Sequence, residues 1–320
     1  MSKHIEDKLD KIPVVNLVVR FFKQIKLPGF EGLSVYDLLE LYAMGIVKGA
    51  LTTRASAIAF SFFTAIFPFL LFVIILIPYI PIDNFPSEFE SFLTDFLPPQ
   101  TSEFFFSNIF ENISGSGGAG LLSSVFLLSM LLMANGVNAV FSGFENSYHE
   151  QLTRNVFQQY MYALGIALIL AILVLLTVAV FGYFQIYVIA PLYEGITGQD
   201  ALNSDSGLGW IIFAKYMFFV IMVYLATATL YYFGTKEGRN TRFFSVGALL
   251  TTLLIILTSY LFGIYIDNFS KYNELYGSIG ALLILLLYLW LNSNILLLGY
   301  ELNASLQFLK KYPGAKKEVL

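Results

Sequence analysis

Cysteine does not occur in this 320-residue sequence, and histidine occurs twice, as His4 and His149. Without cysteine there is no disulfide framework, no thiolate metal site and no cysteine nucleophile. The histidines fall in a polar tail and a short loop, and neither has a histidine neighbour at metal-ligand spacing, so both read as solvent-exposed and no metal or other cofactor is expected. No G-x-x-x-x-G-K-(S/T) stretch is present, which excludes a P-loop and direct use of ATP through one. Charge is scarce too: 12% of residues are charged, where soluble domains carry about a quarter. A water-facing surface cannot be built from that composition.

What fills the chain is apolar: 57% of residues are hydrophobic and the mean hydropathy is +0.72. A helix rises about 1.5 Å per residue, so about 20 apolar residues cross a hydrocarbon core roughly 30 Å thick. Such runs lie near 56–78, 121–141, 161–190, 210–233, 243–266 and 278–300. The expected fold is an all-α integral membrane protein, a six-transmembrane-helix bundle with amphipathic interfacial helices. Residues 1–50 form a cytoplasmic amphipathic segment, 51–309 the transmembrane domain and 310–320 a basic cytoplasmic tail. The long amphipathic lead before the first run argues against a cleavable signal peptide.

Lysine and arginine orient the spans, because cytoplasmic loops retain them. They cluster before the first span (Lys3, Lys8, Lys11, Arg20, Lys23, Lys26, Lys48, Arg54), after the second (Arg154), after the fourth (Lys236, Arg239, Arg242) and in the tail (Lys310, Lys311, Lys316, Lys317). The loops 79–120 and 191–209 have none, and 267–277 has Lys271 alone. Both termini are therefore expected in the cytoplasm.

Three amphipathic stretches accompany the spans. Pro13 to Lys26 is basic and apolar; Val35, Tyr36, Leu39, Tyr42, Ala43, Ile46 and Val47 share one helical face leading into the first span; and Phe85, Phe89, Phe92 and Phe96 recur at helical spacing within the outer interfacial loop 79–120. The outer stretch reads either as a lipid-contacting gate or as a loop folded onto the bundle.

Polar residues inside apolar runs are costly, and their default reading is functional. Span one carries Arg54, Ala57, Ser61, Thr64 and Pro68; span two carries Asn135, Asn138, Ser142 and Glu145; span six ends in Asn292, Ser293, Asn294, Glu301 and Asn303. The three helices thus place their polar groups at similar depth toward the cytoplasmic end, with Pro68 in the middle of span one. If these faces converge they outline a polar cavity, with Arg54 facing Glu145 or Glu301 and with Asn135, Asn138, Asn292 and Asn294 as further substrate-binding groups. The alternative is that the amides only join helices by hydrogen bonds while the charges reach the headgroups. Pro68 predicts a kink and a hinge in span one, and Lys215 either reaches the outer interface or contacts an anion.

The stretch RASAIAFSFFTAIFP, Arg54 to Pro68, resembles the signature of the YihY/BrkB family of bacterial inner-membrane proteins. Tyr272, the Tyr276 to Ala281 turn, Gly299 to Asn303 (G-Y-E-L-N) and Asn135 to Ala139 (N-G-V-N-A) are similar to further family patterns, and the likeness spans about residues 35–308. The resemblance implies six transmembrane helices with both termini inside. It also brings the old label ribonuclease BN, which the residues do not support: metal-assisted RNA hydrolysis needs clustered histidines and carboxylates, and RNA binding needs a basic, aromatic groove. Some relatives are linked to envelope lipid export or serum resistance.

Taken together, the sequence points to a bacterial inner-membrane transporter or exporter of a lipid-like, amphiphilic or anionic solute, with membrane lipids as partners and no nucleic acid. A non-transporting structural or scaffolding role is the alternative, and an intramembrane lipid-modifying enzyme a further one. No catalytic residue is assigned and no oligomeric state follows.

Overall fold

A computed structural model describes residues 13–25, 34, 36–37, 40, 50–76, 119–145, 155–184, 205–234, 242–268 and 278–311. Its elements are helices α1 (Pro13–Gln24), α2 (Ala50–Leu76), α3 (Ala119–Glu145), α4 (Val156–Phe184), α5 (Asp205–Gly234), α6 (Val246–Asn268) and α7 (Ser278–Lys311). Six of them, α2 to α7, are long and apolar enough to cross a membrane. The expected class is thus the observed one. The outer interfacial stretch of phenylalanines, the 276–277 turn, Tyr272 and most of the 35–47 face lie outside the described residues, as does the side chain of Lys215.

Helix boundaries differ from the hydropathy reading where polar side chains find partners. Helix α2 begins at Ala50 and holds Arg54 within its second turn. Helix α7 runs 34 residues, to Lys311, past Glu301 and Asn303. At about 1.5 Å per residue it is about 51 Å long, more than the roughly 30 Å hydrocarbon core, so an upright helix extends beyond that core. Helix α6 starts at Val246 because Ser245 caps it: the Ala248 N–H donates to Ser245 Oγ at 3.2 Å.

The amphipathic lead is seen in two pieces. Pro13 occupies the first position of α1, where its missing N–H costs nothing. A reciprocal capping box then marks the start of the second stretch: the Ser34 N–H donates to Asp37 Oδ2 at 2.7 Å and the Asp37 N–H donates to Ser34 Oγ at 3.2 Å. Lys23 Nζ sits 4.7 Å from the centre of the Tyr36 ring and joins the two.

The six long helices pack in a closed order: α2 on α3, α3 on α4, α4 on α5, α5 on α6, α6 on α7, and α7 back on α2. Helix α3 reaches further, touching α5 and α7 as well. Alternating crossings bring the start of α2, the end of α3, the start of α4, the end of α5, the start of α6 and the later part of α7 to one end. Burial is concentrated there. On α6 the buried residues Ala248, Thr251 and Thr252 lie in the first two turns, while Leu253, Leu257, Tyr260, Leu261, Ile264 and Tyr265 beyond them are exposed.

The tight end has an aromatic centre. The rings of Phe144 (α3) and Tyr300 (α7) stack at 3.9 Å and 12°, and Tyr231 (α5) meets each edge-on at 5.5 Å. The Tyr231 hydroxyl donates to the Leu296 carbonyl at 2.6 Å; its oxygen therefore accepts from Thr251 Oγ1, also at 2.6 Å. All three rings and Thr251 are at most 2% exposed. Gly299 makes this approach of α5, α6 and α7 possible: a Cβ there would run into Thr251 Oγ1, and would stand 2.6 Å from the Tyr231 hydroxyl.

Pro68 lies inside α2, which continues through it to Leu76. The fully buried Ser129 of α3 places its hydroxyl 2.6 Å from the Pro68 carbonyl and 2.7 Å from that of Val125, sharing one hydrogen between them. This bond ties α3 to α2 at the one point where proline interrupts the ladder of α2.

Gly299→Ala is expected to lower the thermal midpoint of the detergent-solubilised protein, at a cost of about 1–3 kcal/mol or more from forced overlap in a packed core. Gly165→Ala on α4, where nothing lies within 4 Å of an added Cβ, serves as the control and should be neutral or mildly stabilising. Equal midpoints for the two variants would contradict the close approach of α5, α6 and α7.

Candidate functional site

Helix ends leave their first N–H groups and last carbonyls without partners inside the helix, and in a bilayer no bulk water compensates. Two such ends meet at the tight end of the bundle, and charged or amide side chains from distant parts of the chain satisfy both.

The first is the C-terminus of α3. Arg54 of α2 donates from Nη1 to the Gly143 carbonyl at 2.8 Å, and from Nη2 to Glu301 Oε1 of α7 at 3.2 Å. A cation at the end of a helix also meets the negative pole of its dipole. One guanidinium therefore joins α2, α3 and α7. The pair is not sealed, since its two side chains remain 16% and 20% exposed. Of the two carboxylates expected opposite Arg54, Glu301 forms the salt bridge, and Glu145 ends the helix whose Gly143 carbonyl takes the other bond.

The second is the N-terminus of α6. Asn303 Oδ1 accepts from the Gly247 N–H at 2.8 Å, and Asn303 Nδ2 donates to Ser245 Oγ at 2.8 Å. Ser245 Oγ in turn accepts from the Ala248 N–H. Gly247 is required here, because a Cβ would reach within 2.6 Å of the Asn303 amide carbon.

The G-Y-E-L-N stretch now has a physical reading. Positions 299 and 303 are four apart and share a face, while 301 lies about 200° round the helix from 299. Gly299 and Asn303 serve α6, and Glu301 serves α2. In N-G-V-N-A, Gly136 faces Phe62 of α2, with a Cβ position 3.2 Å from the ring, and Val137 is 1% exposed.

The other candidates are placed differently. Asn292 donates from Nδ2 to the Tyr288 carbonyl at 2.8 Å, and Asn294 to that of Trp290 at 2.7 Å, each one turn back on α7. The Asn292 Oδ1 atom is buried and accepts no hydrogen bond from the described residues. Asn135 is exposed and Asn138 half-buried. Arg54 and Glu301 are thus brought together. Sequence reasoning passed over Gly143, Tyr231, Ser245, Gly247 and Thr251; the spacing of Gly299, Glu301 and Asn303 was the available signal for two of their partners.

Among the described residues no group of three or more His, Asp or Glu side chains is placed to hold a metal ion. What the arrangement offers chemically is a partly accessible guanidinium paired to a carboxylate at one end of a membrane bundle.

Fold and site together define a multi-pass helical membrane protein in which Arg54 and the G-Y-E-L-N stretch meet at one end of the bundle. The chain belongs to the family described as virulence factor BrkB, whose profile matches residues 45–318. It is 26% identical over 263 residues to the ribonuclease-like protein YfkH of Bacillus subtilis, covering 82% of this chain and 92% of that one. It is 23% identical over 291 residues to a UPF0761 membrane protein of Coxiella burnetii, 88% of this chain and 94% of that one. A UPF0761 membrane protein of Mannheimia succiniciproducens is 24% identical over 269 residues, 81% and 85% of the two chains. No solved structure matches. The family description names no catalytic function, and the relatives' names describe membrane proteins, with one ribonuclease-like label.

A double-mutant cycle with Arg54→Met and Glu301→Gln should give a coupling of about 1–3 kcal/mol, between the values for exposed and sealed pairs. Asn303→Ala should cost about 0.5–2 kcal/mol through the lost cap. Reversible unfolding in mixed micelles checks both, and additive single-variant effects at 54 and 301 would remove the pair from the stability account.

Proposed function

We propose that the protein is a transporter or exporter of an anionic amphiphile in the bacterial cytoplasmic membrane, with both termini in the cytoplasm. The reading is carried by one observation: a guanidinium–carboxylate pair, 16% and 20% exposed, closes the end of a membrane bundle where three helices meet. The lysine- and arginine-rich loops flank that same end, so it faces the cytoplasm.

In this reading an anionic headgroup competes with Glu301 for Arg54. Two bonds of Arg54 would be at stake, and a phosphate or carboxylate oxygen can replace the Glu301 oxygen without uncovering the guanidinium charge. Releasing Glu301 loosens the seam between α7 and α2 that closes the helical ring and gives the headgroup a way in from the cytoplasm. The chemistry is reversible binding, with no bond made or broken in the solute.

Scaffolding in the envelope is the second reading, and the interlocked Gly299, Thr251 and Tyr231 favour it, because they fix α5, α6 and α7 to one another. The two readings differ in one respect only, movement of solute.

Topology is directly measurable because the chain has no native cysteine. Ser116→Cys should react with an impermeant maleimide added to intact spheroplasts, and Lys316→Cys only after permeabilisation; the reverse pattern would invert the proposed orientation. For activity, proteoliposomes carrying NBD-labelled phosphatidylglycerol should lose outer-leaflet asymmetry faster with the wild-type chain than without it. Arg54→Ala and Glu301→Gln should slow this by roughly tenfold or more, as expected for loss of a charge-assisted hydrogen bond, with Arg54→Lys intermediate. No acceleration by the wild-type chain, together with an unchanged lipidome on its deletion, would leave the scaffolding reading standing. Unchanged rates in the variants would overturn the site.

A further inference from the structure

Helix α3 has two faces. One is buried against α2, α4, α5 and α7 through Ala134, Val137, Val140, Phe141 and Phe144, each at most 1% exposed. The other carries Ser124, Leu128, Leu131, Asn135 and Asn138, separated by four, three, four and three residues. Leu128 and Leu131 are each 51% exposed, Ser124 and Asn135 are exposed and Asn138 is half-buried. Tyr160 of α4 borders this face and donates its hydroxyl to the Leu131 carbonyl at 2.9 Å.

Alternating steps of three and four, averaging 3.5, are the spacing of a helix that packs along its length against another helix in a left-handed crossing. The later part of this line holds two carboxamides within the apolar span 124–145. A lipid tail offers an amide nothing, and an amide left in hydrocarbon is costly. No hydrogen bond ties Asn135 or Asn138 to the described residues.

We infer that this face of α3 is a self-association surface, and that its occupant is α3 of a second copy of the chain. The argument for a copy is symmetry. Two chains inserted in the same orientation are related by a two-fold axis along the membrane normal, so every residue of one α3 meets its own equivalent at the same depth. Few residues gain from that. Leucine against leucine packs, and a carboxamide against a carboxamide forms hydrogen bonds, because each amide carries both donor and acceptor. Like charges would repel, and Glu145, at the end of the helix, is carried away from its twin when the helices cross at about 20° near Leu131 and Asn135. The dimer thus has a leucine pair and an asparagine pair at its centre, outside the ring that holds Arg54 and Glu301.

The inference does not depend on solute movement, and its test does not measure it. In native membranes of the otherwise cysteine-free chain, Leu128→Cys and Leu131→Cys should each give a dimer band with a short bifunctional methanethiosulfonate. Leu168→Cys on α4 and Leu257→Cys on α6, at 44% and 52% exposure, should not. Asn135→Leu, which raises hydropathy and does not impair insertion, should weaken dimerisation in liposomes roughly tenfold by single-molecule photobleaching, and Asn135→Gln should restore it. A monomer under all conditions, cross-linking of equal yield at 168 and 257, or an Asn135→Leu variant as dimeric as the wild type would each overturn the assignment.

Discussion

Between helices in a bilayer the hydrophobic effect provides little, since lipid tails are as apolar as leucine. Cohesion must come from close packing and from polar groups whose alternative is an unsatisfied dipole in hydrocarbon. Arg54 is the point on which this bundle depends. Its guanidinium accounts for a carbonyl in the last turn of α3 that has no partner within the helix and for the Glu301 carboxylate of α7, and so links the first membrane helix to the second and to the last. Residues 247 positions apart in sequence are thereby neighbours, and the ring of helices closes.

Around that point the structure uses a second rule, that two helices carry hydroxyl and amide bonds best where one of them lacks a side chain. Gly299 lets Thr251 and Tyr231 come close enough to bond to each other and to the Leu296 carbonyl. Gly247 does the same for Asn303. The family motif around Glu301 is thus built from packing and capping, with one charged position that pairs with Arg54. Structure and candidate activity share residues here, and for that reason stability and flux have to be measured separately.

The six membrane helices were legible in the sequence because the apolar runs are long. The junction was legible in part. An arginine early in span one has to meet an acid, and Glu301 was one of two considered. Less was visible for the amides. Asn292 and Asn294 were expected to converge with Arg54, but an asparagine in a helix always has the carbonyl four residues back within reach, and both take it. Asn303 was placed in the crowd of polar residues but not given its role as a cap, because the backbone it serves begins 58 positions earlier. Tyr231 and Thr251 gave no signal at all. A tyrosine or threonine within an apolar run reads as ordinary, and only proximity of three helices turns the two hydroxyls into a node.

The cap of α6 bears on how the protein is made. Ser245 and Gly247 emerge from the ribosome well before Asn303, the residue that completes their bonding, and Arg54 is synthesised long before Glu301. During translation the first turn of α6 and the guanidinium of α2 enter the translocon's surroundings with those partners still unmade. The compact end of the bundle can therefore lock only after the last helix arrives, and a chain stalled before residue 303 holds an incomplete bundle.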